Sequence, residues 1–226
     1  MIKAIIFDLD GTQIPFKLNV NNCRAKILDY LIAQGFPKSL FSMKESIFEI
    51  LVKTKKRHKD QENKNKKFTK IEEKIFSIVE SFELEAAKAS EIFPGTIIAL
   101  QTLREMKLKI GLCTISGEKA VDYILSRFKI QPYFDAVIPR ESVSLIKPNP
   151  IHLEAALNAL EVKSHEALMV GDSISDVKAA LQLKVITVGI TTGISTNEEL
   201  ICAGTHYLAS SITDIPILIT KLNKTV

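Results

Sequence analysis

Five short runs of branched apolar residues constrain the fold of this chain more than any other feature. They are IKAIIFD at 2–8, LKIGLCT at 108–114, FDAVIP at 134–139, ALMVGD at 167–172 and KVITVGI at 184–190, with HYLAS at 206–210 as a candidate sixth. Each ends in a polar or turn residue. Their hydrophobicity is continuous rather than alternating, which suits strands covered on both faces. Between the later runs lie helical patterns: TIIALQTLREM after Pro94 and Gly95, Glu118 to Phe128, a helix opening at Asn149-Pro150, and Ser175 to Leu181. Proline preset for a first helical turn supports the third of these. Strand alternating with helix predicts an α/β fold: a Rossmann-like, doubly wound parallel sheet.

Residues 16–89 break this rhythm. They hold helix-like stretches (Cys23–Ala33, Ser39–Lys53, Thr69–Ala89) and no strand pattern, so they read as a mostly helical cap domain inserted into a core of residues 1–15 and 90–226. Within the insertion, residues 53–70 carry nine Lys or Arg against two acids, while the whole chain is only +4. Phe68 is the one aromatic residue interleaved there. A solvated basic face is therefore expected rather than a nucleic-acid surface, which needs stacking residues along the strand path.

No apolar run approaches the roughly 20 residues of a membrane span, and acids follow the first apolar stretch at once, unlike a signal peptide. Cys23, Cys113 and Cys202 are scattered and form no CxxC pair, and the four histidines show no metal-ligand spacing. Reduced thiols and a cytoplasmic location are the expectation.

Polar signals gather where a parallel sheet places ligands, outside the carboxyl ends of its strands. Asp8 and Asp10 end the first run, Thr114 the second, Lys147 follows the third, and Asp172 ends the fourth. Carboxylates two apart on an extended segment point the same way, so Asp8 and Asp10 are expected to face one site. They repel one another unless a cation or proton intervenes. Gly11 lets the chain turn sharply and present backbone amides to an anion. Thr114 offers a hydroxyl and an amide to a phosphate oxygen. Lys147, in a KPNP segment stiffened by two prolines, is placed to neutralise a phosphate or a carboxylate pair. Asp172, Ser173 and Asp176 approach one point from a helix start, with oxygen donors of the kind magnesium prefers. For Asp176 a second reading, an acid at the positive end of a helix dipole, stays open.

In DLDGT at 8–12, Thr114, Lys147 in KPNP, and GDSISD at 171–176, the chain resembles the haloacid dehalogenase superfamily, and its helical insertion is similar to the type 1 cap of phosphoglycolate phosphatase-like and phosphomutase-like members. The resemblance implies Asp8 as nucleophile, Asp10 as acid and base, and Gly11, Thr12, Thr114 and Lys147 around the phosphoryl group. It also implies Mg²⁺ on Asp8, the Asp10 carbonyl and Asp172, with Ser173 and Asp176 in support. Retention of Asp10 points to phosphoryl transfer rather than dehalogenation. The expected activity is hydrolysis of a small phosphorylated metabolite. The alternatives are a sugar-phosphate phosphomutase and, in another class, a catalytically silent phosphate-binding or nucleic-acid-binding protein. Two departures stand out: Ile115 follows Thr114 where the family often has Asn, and Gln13-Ile14-Pro15-Phe16 follows DGT where many members carry Leu and then Asp-Ser.

Overall fold

A computed structural model describes residues 1–59 and 65–224. The chain divides into two compact units, one of Met1–Lys17 with Ala87–Val226 and one of Leu18–Ala86. The larger unit holds β1 (Ala4–Phe7), β2 (Lys109–Cys113), β3 (Ala136–Ile138), β4 (Ala167–Gly171), β5 (Ile186–Ile190) and β6 (Tyr207–Ala209). Among the described residues they form a six-stranded sheet in the order β3-β2-β1-β4-β5-β6. Every pairing is parallel; Ile6, for example, lies opposite Gly111 on one side and Met169 on the other. The strand order reverses between β1 and β4, and that switch point is where doubly wound sheets open a crevice.

The smaller unit contains α1 (Val20–Ala33), α2 (Ile47–Lys59) and the greater part of α3 (Asn65–Ala89). The larger one adds α4 (Thr96–Glu105), α5 (Glu118–Arg127), α6 (Pro150–Ala159), α7 (Ile174–Gln182), α8 (Asn197–Cys202) and α9 (Ile215–Lys224). Alternate residues of β1 bury into different clusters. Ile5 and Phe7 pack with Leu100 and Leu103 of α4, Val121 of α5 and Ile219 of α9. Ala4 and Ile6 pack with Leu153 and Leu157 of α6 and Ala180 of α7. Such two-sided burial explains the continuous apolar runs. The smaller unit has its own core, with Cys23, Ile27, Ile50, Ile75 and Ile78 buried together.

One helix boundary corrects the sequence reading. The pattern over Ser39–Lys53 suggests a helix, yet only Lys38–Leu40 form a short 3₁₀ turn before α2 begins at Ile47. The cause is local. Ser46 Oγ accepts from the Glu49 amide at 3.1 Å, and the Glu49 carboxylate accepts from the Ser46 amide at 2.6 Å, a reciprocal cap that fixes the start. Of the lysine-rich run, residues 60–64 lie outside the described residues. No helix among the described residues is long and apolar enough to cross a membrane.

Gln13 is fully buried directly after the first motif. Its backbone carbonyl accepts from Phe93 N at 2.9 Å, but neither atom of its amide side chain has a partner among the described residues. Leaving a buried polar group unpaired costs roughly 1–3 kcal/mol. Gln13→Leu, of similar volume and apolar, is therefore expected to stabilise the protein by about 1–3 kcal/mol in denaturant titration. An unchanged or lower midpoint would mean that internal water already satisfies the amide.

Candidate active site

Asp8 follows β1 directly, and its amide bonds Val170 O of β4 at 2.9 Å, so the nucleophile candidate sits on the switch point itself. Its carboxylate lies against Lys147: Nζ donates to Asp8 Oδ1 at 2.7 Å, to Asp176 Oδ1 at 2.5 Å and to the Cys113 carbonyl at 2.7 Å. Three oxygens thus saturate an ammonium whose side chain is 2% exposed. Asp176 is held in turn as part of a reciprocal cap, with Oδ2 accepting from Ser173 Oγ at 2.6 Å and from the Ser173 amide at 3.1 Å. One Asp176 oxygen thus caps α7 and the other faces Lys147.

Asp172, at the end of β4, is fixed from the loop after β5, where Ile194 N donates to its Oδ2 at 2.7 Å. Two glycines make room for it. A side chain at Gly11, which has φ +81°, would put Cβ 2.3 Å from Asp172 Oδ2, and one at Gly193 would put it 1.9 Å away. Only hydrogen fits at either position. Thr192 Oγ1 ties the same loop to the Gly11 carbonyl at 2.6 Å.

Asp8, Asp172 and Asp176 are all buried, and each offers an oxygen within 4.8 Å of the others. The electrostatics follow from burial. Desolvation pushes the Asp8 carboxyl well above the usual carboxylate range; Lys147 pulls against this, and Asp176 and Asp172 add to it. Asp172 is pushed up to about 7 by burial, with Asp176 adding to the shift. Burial opposes the charge on Lys147 too, but Asp176 and Asp8 beside it outweigh that and keep it protonated. Were all three ionised, these carboxylates around one ammonium would leave an excess of negative charge in a buried space. A hard divalent cation with oxygen preference fits both the donors and the charge.

The carboxyl of Asp10 does not join this cluster. Its Oδ2 accepts from Ser116 Oγ at 2.6 Å, so the spacing argument brings Asp8 and Asp10 to the same end of the sheet but not to one carboxylate group. The amides expected to face an anion are also committed elsewhere. Gly11 N bonds Ile14 O at 2.7 Å, Thr12 N bonds Leu9 O at 3.2 Å, and Thr114 N pairs with Ile138 O at 3.1 Å in the sheet. Two hydroxyls are also present for a phosphoryl oxygen. Thr114 Oγ1 accepts from Ser116 N at 3.1 Å and retains its own proton to donate. The buried Thr12 hydroxyl has no partner among the described residues. Ser116 and the Thr192–Ile194 loop were not singled out in the sequence. Their positions at the carboxyl ends of β2 and β5 were the available signal.

His152 of α6 backs the site. Its Nδ1 accepts from Lys147 N at 3.4 Å and its Nε2 lies 3.1 Å from Ile138 O, while burial and Lys147 hold its pKa down at about 4. The ring therefore stays neutral beside the lysine.

Residues 5–190 match the family model described as haloacid dehalogenase-like hydrolase. A curated relative, the pyrophosphatase PpaX of Bacillus cereus, is 24% identical over 228 residues, covering 99% of each chain. Among solved structures, a β-phosphoglucomutase from Clostridium difficile superposes with a TM-score of 0.72 at 21% identity, covering 100% of this chain and 99% of that one. A protein described as a predicted phosphoglycolate phosphatase, from Haemophilus somnus, gives 0.65 at 22% identity, over 97% and 98%. At these identities the structural likenesses speak to the fold.

Proposed function

The chain belongs to the haloacid dehalogenase-like hydrolases, and from that premise we propose that it is a magnesium-dependent phosphatase hydrolysing a small phosphorylated metabolite through a phosphoryl group carried on Asp8. The observation that carries the proposal is the contrast between its two motif carboxylates. Asp8 lies in the buried carboxylate cluster against Lys147, whereas Asp10 lies outside it with a hydroxyl donor. Two carboxylates in different environments are suited to different tasks.

In this reading Asp8 attacks phosphorus in line with the leaving oxygen. Asp10 protonates that oxygen and then takes a proton from the water that hydrolyses the aspartyl-phosphate. Lys147 compensates the charge of Asp8 and Asp176, while the hydroxyls of Thr114 and Thr12 are candidate donors to the transferred group. Gly11 acts through its missing side chain, which admits Asp172. Asp8, Asp172 and Asp176, together with the Asp10 carbonyl, would hold Mg²⁺, which when bound screens the nucleophile from the phosphoryl oxygens.

Inorganic pyrophosphate is a second substrate worth direct trial, since relatives matching 99% of this chain bear the name pyrophosphatase. The test is phosphate release from p-nitrophenyl phosphate, phosphoglycolate and pyrophosphate, with magnesium and after chelation. We expect chelation to lower the rate by roughly 100-fold or more, and added magnesium to restore it. A rate indifferent to chelator would remove the metal from the proposal, and release from none of the three would favour the phosphomutase or binding readings.

A further inference from the structure

Ser116 occupies a more constrained place than a surface serine would. Its hydroxyl donates to Asp10 Oδ2 at 2.6 Å, and its backbone is pinned from three sides. The amide bonds Thr114 Oγ1 at 3.1 Å, its carbonyl accepts from Arg140 N at 3.2 Å, and the preceding carbonyl, of Ile115, accepts from Arg140 Nη1 at 3.1 Å. Arg140 is buried just after β3, and its Nη2 pairs with Glu141 Oε1 at 3.0 Å. The other Glu141 oxygen accepts from the first amide of α5, Glu118 N, at 2.9 Å. The loop between β2 and α5 is thus tied to the end of β3, and from it the Ser116 hydroxyl reaches the Asp10 carboxylate.

We infer that Ser116, braced by Arg140 and Glu141, is a positioning residue that fixes the direction of the Asp10 carboxyl for proton delivery to the leaving group. The inference rests on the phosphatase reading above. In the step concerned, a carboxylate oxygen of Asp8 attacks phosphorus and the bond from phosphorus to the leaving oxygen breaks. The electron pair stays on that oxygen, which takes the proton of the Asp10 carboxylic acid. Proton transfer demands reach and alignment, so a carboxyl free to rotate delivers the proton less often. A hydroxyl whose backbone is held by three hydrogen bonds restricts that rotation at little entropic cost. Arg140 and Glu141 act only through the loop.

A positioning role predicts a dependence on the leaving group. Phenyl phosphate releases a basic phenolate that needs the proton; p-nitrophenyl phosphate releases an anion stable enough to depart without it. The ratio kcat/KM covers only the steps up to that departure, so it isolates the acid step from later hydrolysis of the phosphoenzyme. Ser116→Ala is expected to lower kcat/KM for phenyl phosphate by about tenfold or more, and for p-nitrophenyl phosphate by less than about threefold. Ser116→Thr, which keeps the hydroxyl, should return the phenyl phosphate value to within about threefold of wild type. Equal losses on both substrates, or none on either, would overturn the positioning role while leaving the phosphatase standing. A wild type without Asp8-dependent release from either ester would overturn the phosphatase reading, and this inference with it. Thermal midpoints of the two variants, expected to match wild type, separate a local effect from unfolding.

Discussion

Lys147→Met is expected to destabilise the metal-free protein by about 3–5 kcal/mol, the cost of removing one partner from a buried ion pair. The ammonium is almost wholly buried and bonds Asp8, Asp176 and the Cys113 carbonyl. Methionine replaces its length but none of its three donors. The remaining carboxylates then face each other with no cation, and the Cys113 carbonyl loses its partner. For a domain of this size the thermal midpoint should fall on the order of 10 °C. Magnesium should recover part of the loss, since a cation that binds only the folded state stabilises it by mass action. Phosphatase activity should fall with it, because the same lysine compensates the nucleophile. A Met variant as stable as wild type in metal-free buffer would show that Lys147 does not balance this cluster.

Asp8→Asn is expected to abolish turnover, with a loss on the order of 10⁴-fold or more, as when a covalent nucleophile is removed. The fold should survive. An Asn carbonyl oxygen still accepts from Lys147, and the substitution removes a charge that burial disfavours. The direction with pH follows from the raised pKa of Asp8. Between the ordinary value of 3.8 and the raised one, the folded state binds more protons than the unfolded chain. This carboxyl therefore lowers metal-free stability as pH rises through that window. In Asp8→Asn that contribution disappears, so the variant should gain on wild type with rising pH in chelator. A parallel pH dependence in the two proteins would mean that the Asp8 carboxyl is not penalised by burial.

The fold was legible because a two-sided parallel sheet leaves a direct imprint. Its strands are short, continuous and apolar, and their carboxyl ends collect the polar residues. That rule gathers Asp8, Lys147 and Asp172 from three distant stretches of chain at the point where the strand order reverses. The assignment of individual hydrogen bonds was not legible. Gly11 and Thr12 look from the sequence like anion-binding amides, yet the turn that Gly11 creates consumes both within residues 9–14. Thr114 likewise spends its amide in the β2–β3 ladder. Asp10 and Asp8 share a strand end, but a partner of Asp10, Ser116, arrives from the loop after β2, and two-residue spacing carries no information about that loop. The Ser46–Glu49 cap had a local signature in its S-x-x-E spacing, which an apolar helical pattern on both sides obscured.

The central claim is that the phosphoryl group passes through Asp8. Acid quenching during turnover of p-nitrophenyl phosphate with magnesium, followed by peptide mass mapping, tests it most directly. The account predicts one phosphoryl group on the peptide that contains Asp8, labile to base, and none in Asp8→Asn. A phosphoryl group on another residue, or turnover by Asp8→Asn at the wild-type rate, would contradict it.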